Sequence, residues 1–180
     1  VWVKSSSITS KAPTVEKPTA PTTPDQPETI VIVEQPVSLV ASITNKKAQV
    51  IQDLQAFDNT TTVASANVKK TTMITKQATV EGEIYYEFDR IGWVKASDTK
   101  AQTYTNEQPI DEVRTLKGTG RGYAQAGSSA AGEAVLSTLA ALANTDFTVT
   151  KSAEVGGKRW YYGKTVNDVA IWTAASNTTA

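Results

Sequence analysis

The sequence predicts an all-β protein made of two related modules in tandem, and three observations predict it. Thr- and Val-rich stretches alternate in polarity, Gly-containing turns separate them, and the same order of motifs occurs twice in 180 residues. Period-two alternation puts one face of a strand on a core and the other toward solvent. A Gly at the turn supplies the backbone freedom that a tight hairpin requires.

The repeat is read from the tryptophans. Trp93-Val94-Lys95-Ala96-Ser97-Asp98 has a counterpart in Trp172-Thr173-Ala174-Ala175-Ser176-Asn177 and another in Trp2-Val3-Lys4-Ser5-Ser6-Ser7. Upstream, Thr75 to Gly82 (TKQATVEG) parallels Thr150 to Gly157 (TKSAEVGG), and Ile84-Tyr85-Tyr86 parallels Arg159-Trp160-Tyr161. Ordered self-similarity of this kind marks repeated structural units. Residues 1–10 are therefore expected to be the terminal strand of a preceding module, and 31–105 and 106–180 to be modules one and two. Residues 11–30 read as a Pro/Thr-rich linker. Six of the seven prolines lie at positions 13, 18, 21, 24, 27 and 36, and Pro favours extended, semi-rigid chain.

Within each module the elements follow in order. Ala41 to Asp53 and Leu116 to Gln125 read as opening strands. Thr148 to Val155 alternates, Glu81-Gly82 and Gly156-Gly157 are turns, and an aromatic strand follows each. Lys164 to Asp168 is the turn of the longer second hairpin. Ala130 to Ala143 leaves two readings open: a short helix, from Val135, Leu139 and Leu142 at helical spacing, or a strand flanked by Ala-rich loops.

Composition excludes much chemistry. With no Cys there are no disulfides or thiolate sites. With no His, the commonest proton shuttle and zinc ligand are missing. Eighteen basic residues balance eighteen acidic ones, which argues against a nucleic-acid binder. No apolar run approaches the roughly 20 residues of a membrane-spanning helix. Glu81, Glu83, Glu87 and Asp89 sit on an exposed hairpin and lack the cleft that paired catalytic carboxylates need. Ser128-Ser129 has no His partner, and no Asx-rich calcium loop occurs. Neither a catalytic activity nor a metal or cofactor is expected.

The repeated motifs resemble the GW modules of Gram-positive cell-wall hydrolases and surface proteins, a divergent bacterial SH3-type family. The elements that carry the likeness are Thr75 to Val80, Glu81-Gly82, Tyr85-Tyr86 and Gly92-Trp93-Val94-Lys95, then Thr150 to Val155, Gly156-Gly157, Trp160-Tyr161 and Ile171-Trp172. The resemblance implies two tandem SH3-like barrels. It also implies a non-catalytic targeting role, as a monomeric fragment of a multi-module secreted protein. The implied partner is an envelope polymer: teichoic acid, lipoteichoic acid or peptidoglycan. The sequence departs from the family in two ways. Only the first module has the Gly-Trp pair, and neither module is basic overall, with 8 basic and 7 acidic residues in 41–100 and 7 of each in 101–180. Binding would then rest on local patches more than on a global field.

The candidate ligand-binding residues are aromatic and basic. Trp93 and Trp172 occupy matched positions, either in a core or with an edge in a groove. Tyr85-Tyr86 and Trp160-Tyr161-Tyr162 lie on strands whose adjacent residues face opposite ways, so one ring of each doublet should reach the surface. Lys158 and Arg159 beside these rings would suit a phosphodiester polymer, where module one has Glu83 and Ile84. Module two is accordingly expected to be the more tolerant of anions. Lys117 to Tyr123 (KGTGRGY) matches no nucleotide-binding spacing and reads as a strand entry with Tyr123 near the surface. Asn59 and Asn177 begin N-x-Thr triplets and read as turn residues. Two other functions would use the same features: adhesion to host matrix or glycan, and a glucan-binding appendage of a sugar-processing enzyme.

Overall fold

A computed structural model of the protein describes residues 31–56 and 60–180. The strand remnant at 1–10, the linker at 11–30 and the triplet at Asn59 lie outside these residues. The strands are β1 (Ile32–Ile43), β2 (Gln49–Ile51), β3 (Thr61–Thr62), β4 (Thr71–Val80), β5 (Glu83–Phe88), β6 (Gly92–Lys95), β7 (Thr99–Leu116), β8 (Gly122–Tyr123), β9 (Ala134–Leu136), β10 (Asp146–Val155), β11 (Lys158–Thr165), β12 (Ala170–Ala174) and β13 (Thr178–Thr179). Single 3-10 turns occur at Ser65–Asn67, Ala96–Asp98, Ala131–Glu133, Ala140–Leu142 and Ala175–Asn177. The Ala-rich segment 130–143 thus holds a short strand between two 3-10 turns. No helix among the described residues is long and apolar enough to cross a membrane.

Two separate SH3-like barrels do not form. The strands make one antiparallel 13-stranded sheet in the order β3-β2-β6-β5-β4-β1-β7-β10-β11-β12-β8-β9, with β13 added on β7. At its ends β3 pairs with β2 alone and β9 with β8 alone, so the path stays open. The physical reason lies in β7. Its residues Thr99 to Thr103 pair with β1, Tyr104 to Thr115 pair with β10, and Thr115 and Leu116 also receive β13. One 18-residue strand therefore serves both repeats, and the expected boundary between residues 105 and 106 falls within its hydrogen-bonded run.

The hairpins follow local chemistry. Both central residues of the β4–β5 turn, Glu81 and Gly82, have positive φ (50° and 82°), as do Gly156 (55°) and Gly157 (74°) between β10 and β11. This is the backbone twist that matches a two-residue hairpin. Asp168, at φ 59°, turns the chain into β12, and its carboxylate pairs with Lys164 at 2.7 Å.

Strands at the centre of the sheet are covered on both faces. On β1, Ala41 and Ile43 enter an apolar cluster with Val50, Ile74, Phe88 and Val94. The neighbouring Val40 points the other way, into a cluster with Tyr104, Tyr123, Val155, Trp160 and Trp172. That second cluster also takes Met73 from β4, so it joins the N-terminal and C-terminal repeats. Gly127 makes the join possible. A Cβ there would lie 2.7 Å from Val155 Cγ1 and 2.9 Å from Val40 Cγ2. Leu116, Leu139, Phe147, Tyr161 and Ile171 fill a further core on the opposite face of β11.

Candidate functional site

The aromatic candidates are mostly packed inside. Trp93, Tyr123, Trp160, Tyr161 and Trp172 are between 5% and 9% exposed. The expectation that either Trp160 or Tyr161 would reach the surface fails, because β11 lies between two cores: Trp160 enters one and Tyr161 the other. Tyr123 is also buried, edge-on to Trp160 with centroids 6.2 Å apart. The strand entry leads inward because Gly122 packs directly on Ile171, where a Cβ would lie 2.6 Å from Cδ1. Tyr162 is half-buried with its ring 5.3 Å from that of Trp172, and Arg114 lies 4.4 Å over the Tyr161 ring. Tyr85 and Tyr86 are half-buried, packed respectively against the cluster that holds Trp93 and the one that holds Phe88. Trp93 shows an edge to a groove of about 520 Å³ shared with Gln52, Glu87, Asp89 and Arg90.

The basic pair separates. Arg159 turns to Glu154, with Nη2 to Oε1 3.6 Å. Lys158 and Trp160, two residues apart on β11, both line a recess between the repeats. The opposite wall of this recess is built by cross-strand register. Thr71, Ser42 and Lys100 face one another across β4, β1 and β7. Two residues further on, Met73, Val40 and Gln102 form the next row. Same-face neighbours in such rows stand about 5 Å apart, so a strip of hydroxyl and amine groups lies above an apolar floor. The segment 127–129 closes the third side, bringing Ser128 and Ser129. The recess has a volume of about 210 Å³.

A wider groove of about 500 Å³ lies alongside and shares Thr71 and Ser128 with it, adding Lys69, Lys70 and Glu133. Lys69 is held in place by its backbone. Its N–H donates to the Ile43 carbonyl at 2.8 Å, and its φ of 66° is uncommon for a residue with a side chain. Glu133 is committed to the chain: its carboxylate accepts the Thr71 N–H, and accepts the Thr71 hydroxyl at 2.8 Å.

The lysines of this cleft are among the basic residues that stand outside ion pairs, as Lys46, Lys47, Lys117 and Arg121 also do among the described residues. Seven ion pairs neutralise basic groups elsewhere: Lys76–Glu87, Arg90–Asp89, Lys95–Glu83, Arg114–Glu112, Lys151–Glu107, Arg159–Glu154 and Lys164–Asp168. Lys69, Lys70, Lys100 and Lys158 have no carboxylate within 4.0 Å among the described residues. Neutrality is thus a property of the whole chain and not of this cleft. Hydrogen bonding to Glu83 raises the Lys95 pKa, and bonding to Asp168 raises that of Lys164. Burial raises the Tyr104 pKa, assisted by its hydrogen bond to Glu107, whose own carboxyl is held below its usual value by Tyr104 and Lys151.

Sequence reasoning found Lys158 and Trp160 but missed Lys69, Lys70, Lys100, Ser42 and Ser128. The cleft residues come from separate segments, and no local motif links them. Among the described residues no group of three or more acidic side chains could hold a metal ion. The acidic candidates Glu83, Glu87 and Asp89 are each ion-paired.

A Listeria monocytogenes chain, provisionally named an autolysin, is 22% identical with a TM-score of 0.46, over 80% of this chain and 63% of that one. The protein therefore spans less than two thirds of that chain, and a likeness at this score assigns no function. No family model matches the sequence, and no curated protein matches it.

Proposed function

We propose that the protein is a non-catalytic attachment module that holds its parent protein to the Gram-positive cell envelope through an anionic wall polymer. The observation that carries this reading is the cleft between the repeats, lined by four lysines without carboxylate partners in a chain of zero net charge. Such a local field attracts a polyanion without a basic surface overall. Ser42, Thr71, Ser128 and Ser129 set hydroxyls among the cations, suited to a ligand rich in oxygen. The order of the Thr-Lys, aromatic and Trp motifs, which resembles that of wall-attaching repeats, supplies the envelope context. On this reading the protein acts outside the cell.

Co-sedimentation with purified Gram-positive walls tests the proposal, with native and teichoic-acid-stripped walls compared across a salt series. The expected result is retention on native walls that weakens with salt and disappears on stripping. Retention that survives stripping would move the partner to peptidoglycan. No retention on either would end the attachment reading.

A further inference from the structure

We infer that the outer edge of β1 at residues 31–35 is a self-association site, where two copies of the chain pair antiparallel and continue one sheet into the other. This goes beyond the attachment reading and does not rest on it.

The edge is bare where the rest of its strand is covered. On one side β1 pairs with β4 from Ile32 to Ser42, with one irregularity after Pro36. On the other side it pairs with β7 only from Leu39 to Ile43. At Tyr104 β7 turns away to β10, and no described strand takes its place beside residues 32–35. The bare stretch therefore prolongs an edge already used for pairing within the chain. An open row of backbone donors and acceptors is a template for another strand.

The face beside this edge is apolar. Register sets Val33, Thr79 and Ile84 in one row across β1, β4 and β5. Val31, Val33 and Ile84 are 68%, 46% and 39% exposed, half of the large apolar residues that stand exposed among the described residues. The second repeat shows that the fold does not require this. There Val155 pairs with Tyr104 as Val80 pairs with Ile32, so the corresponding row is Thr105, Glu154 and Arg159. That row is polar, and Arg159 is ion-paired to Glu154. Its edge is also bulged: Glu154 pairs with Thr105 but Ser152 with Gln108, and Asn106 inside the bulge has φ 54°. Bulges and charged side chains keep an exposed edge from pairing. β1 lacks the bulge here and stays in register with β4 from Ile32 to Pro36.

The strand is complementary to itself. Its one charge between Val31 and Pro36 is Glu34. A parallel copy would set Glu34 beside Glu34, and like charges directly opposite destabilise a pair. An antiparallel copy about a twofold axis at Ile32 avoids this and sets Val31 of each copy opposite Val33 of the other. The two apolar rows then merge across the axis. Such a contact uses the same patch on both copies and closes at the dimer. Pro36 has no N–H to give and ends the run. A contact this short falls below the about 800 Å² per partner of a stable complex, which places the dissociation constant between about 10 μM and 1 mM. The resemblance to wall-attaching repeats implies a monomer; this edge implies a weak dimer.

Sedimentation equilibrium of the full chain from about 10 μM to 1 mM tests the inference, with hydrogen exchange read at both ends of that range. The mass should rise from monomer to dimer and stop there, while the amides of residues 32–35 gain protection with concentration. Val33→Lys should weaken association by about tenfold or more. Val31→Lys, at the more exposed position, should do the same and replaces it if Val33→Lys fails to fold. Val113→Lys, at an exposed valine of the second repeat, should change it less than about twofold. A monomer at every concentration, growth beyond the dimer, or equal loss in Val33→Lys and Val113→Lys would overturn the site. Protection of residues 32–35 that does not depend on concentration would assign the edge to a segment of the same chain and would equally overturn it.

Discussion

Glu133 and Thr71, 62 residues apart, are joined by two bonds: the Glu133 carboxylate accepts both the backbone N–H and the hydroxyl of Thr71. Thr71 opens β4 in the first repeat, and Glu133 ends the 3-10 turn before β9 in the second. The pair therefore fastens the repeats at the rim of the cleft, and it occupies the one carboxylate that lines the groove.

Glu133→Ala should loosen that fastening. Hydrogen bonds to charged groups contribute about 1.5–3 kcal/mol each in well-buried sites, and partial burial here places the loss toward the lower end. Urea unfolding should show the loss, and the Thr71 amide should exchange faster in the variant. Unchanged protection at Thr71 would mean that the pair is incidental.

Gly127→Ala should be more damaging than its single methyl suggests. The residue has φ 83°, and the added Cβ would press on Val155 and Val40 at 2.7 and 2.9 Å. Overpacking typically costs about 1–3 kcal/mol, with the left-handed backbone adding roughly 1 kcal/mol or more. Thermal unfolding should shift down, and polymer affinity should fall with it because Ser128 and Ser129 follow directly. A variant with wild-type stability would contradict the packing of the seam.

Trp172→Ala should destabilise both repeats together. Trp172 is buried in the cluster that also contains Val40 and packs Met73 from the first repeat. Large-to-small changes at such positions cost about 3–5 kcal/mol. Hydrogen exchange should show β4 and β10 losing protection in step. Full protection of β4 in the variant would show that the repeats unfold independently.

The Tyr104–Glu107–Lys151 network gives a pH dependence. Tyr104 donates to Glu107 at 2.8 Å, and Lys151 donates to the other carboxylate oxygen at 3.3 Å. Glu107 has a folded-state pKa below its ordinary value of 4.5. Its contribution is thus fully present above that value and is lost as pH falls through the lowered one. Glu107→Gln should flatten this acid limb of the stability profile. An unchanged limb would assign acid sensitivity to other carboxylates.

Much of the local structure was legible in the sequence. The turns at Glu81-Gly82 and Gly156-Gly157 were readable because Gly and alternation act over a few residues. The shared strand β7 was not. Its middle, from Thr105 to Pro109, is exposed and polar, so nothing in its hydrophobic pattern shows that pairing continues from β1 to β10. The fates of Trp160 and Tyr161 were hidden for a related reason: alternation shows that they face opposite ways but not that both faces are covered. The cleft was the least legible, since Lys69, Lys100, Ser128 and Lys158 meet only through the register of β4, β1 and β7 and the closure at Gly127.

Amide chemical-shift mapping of the full chain during titration with short poly(glycerol phosphate) tests the central claim most directly. The account predicts that residues around Lys69 to Thr71, Lys100, Gly127 to Ser129 and Lys158 shift together along one binding curve. Shifts confined to one repeat, or centred on Tyr85 and the groove beside Trp93, would contradict it.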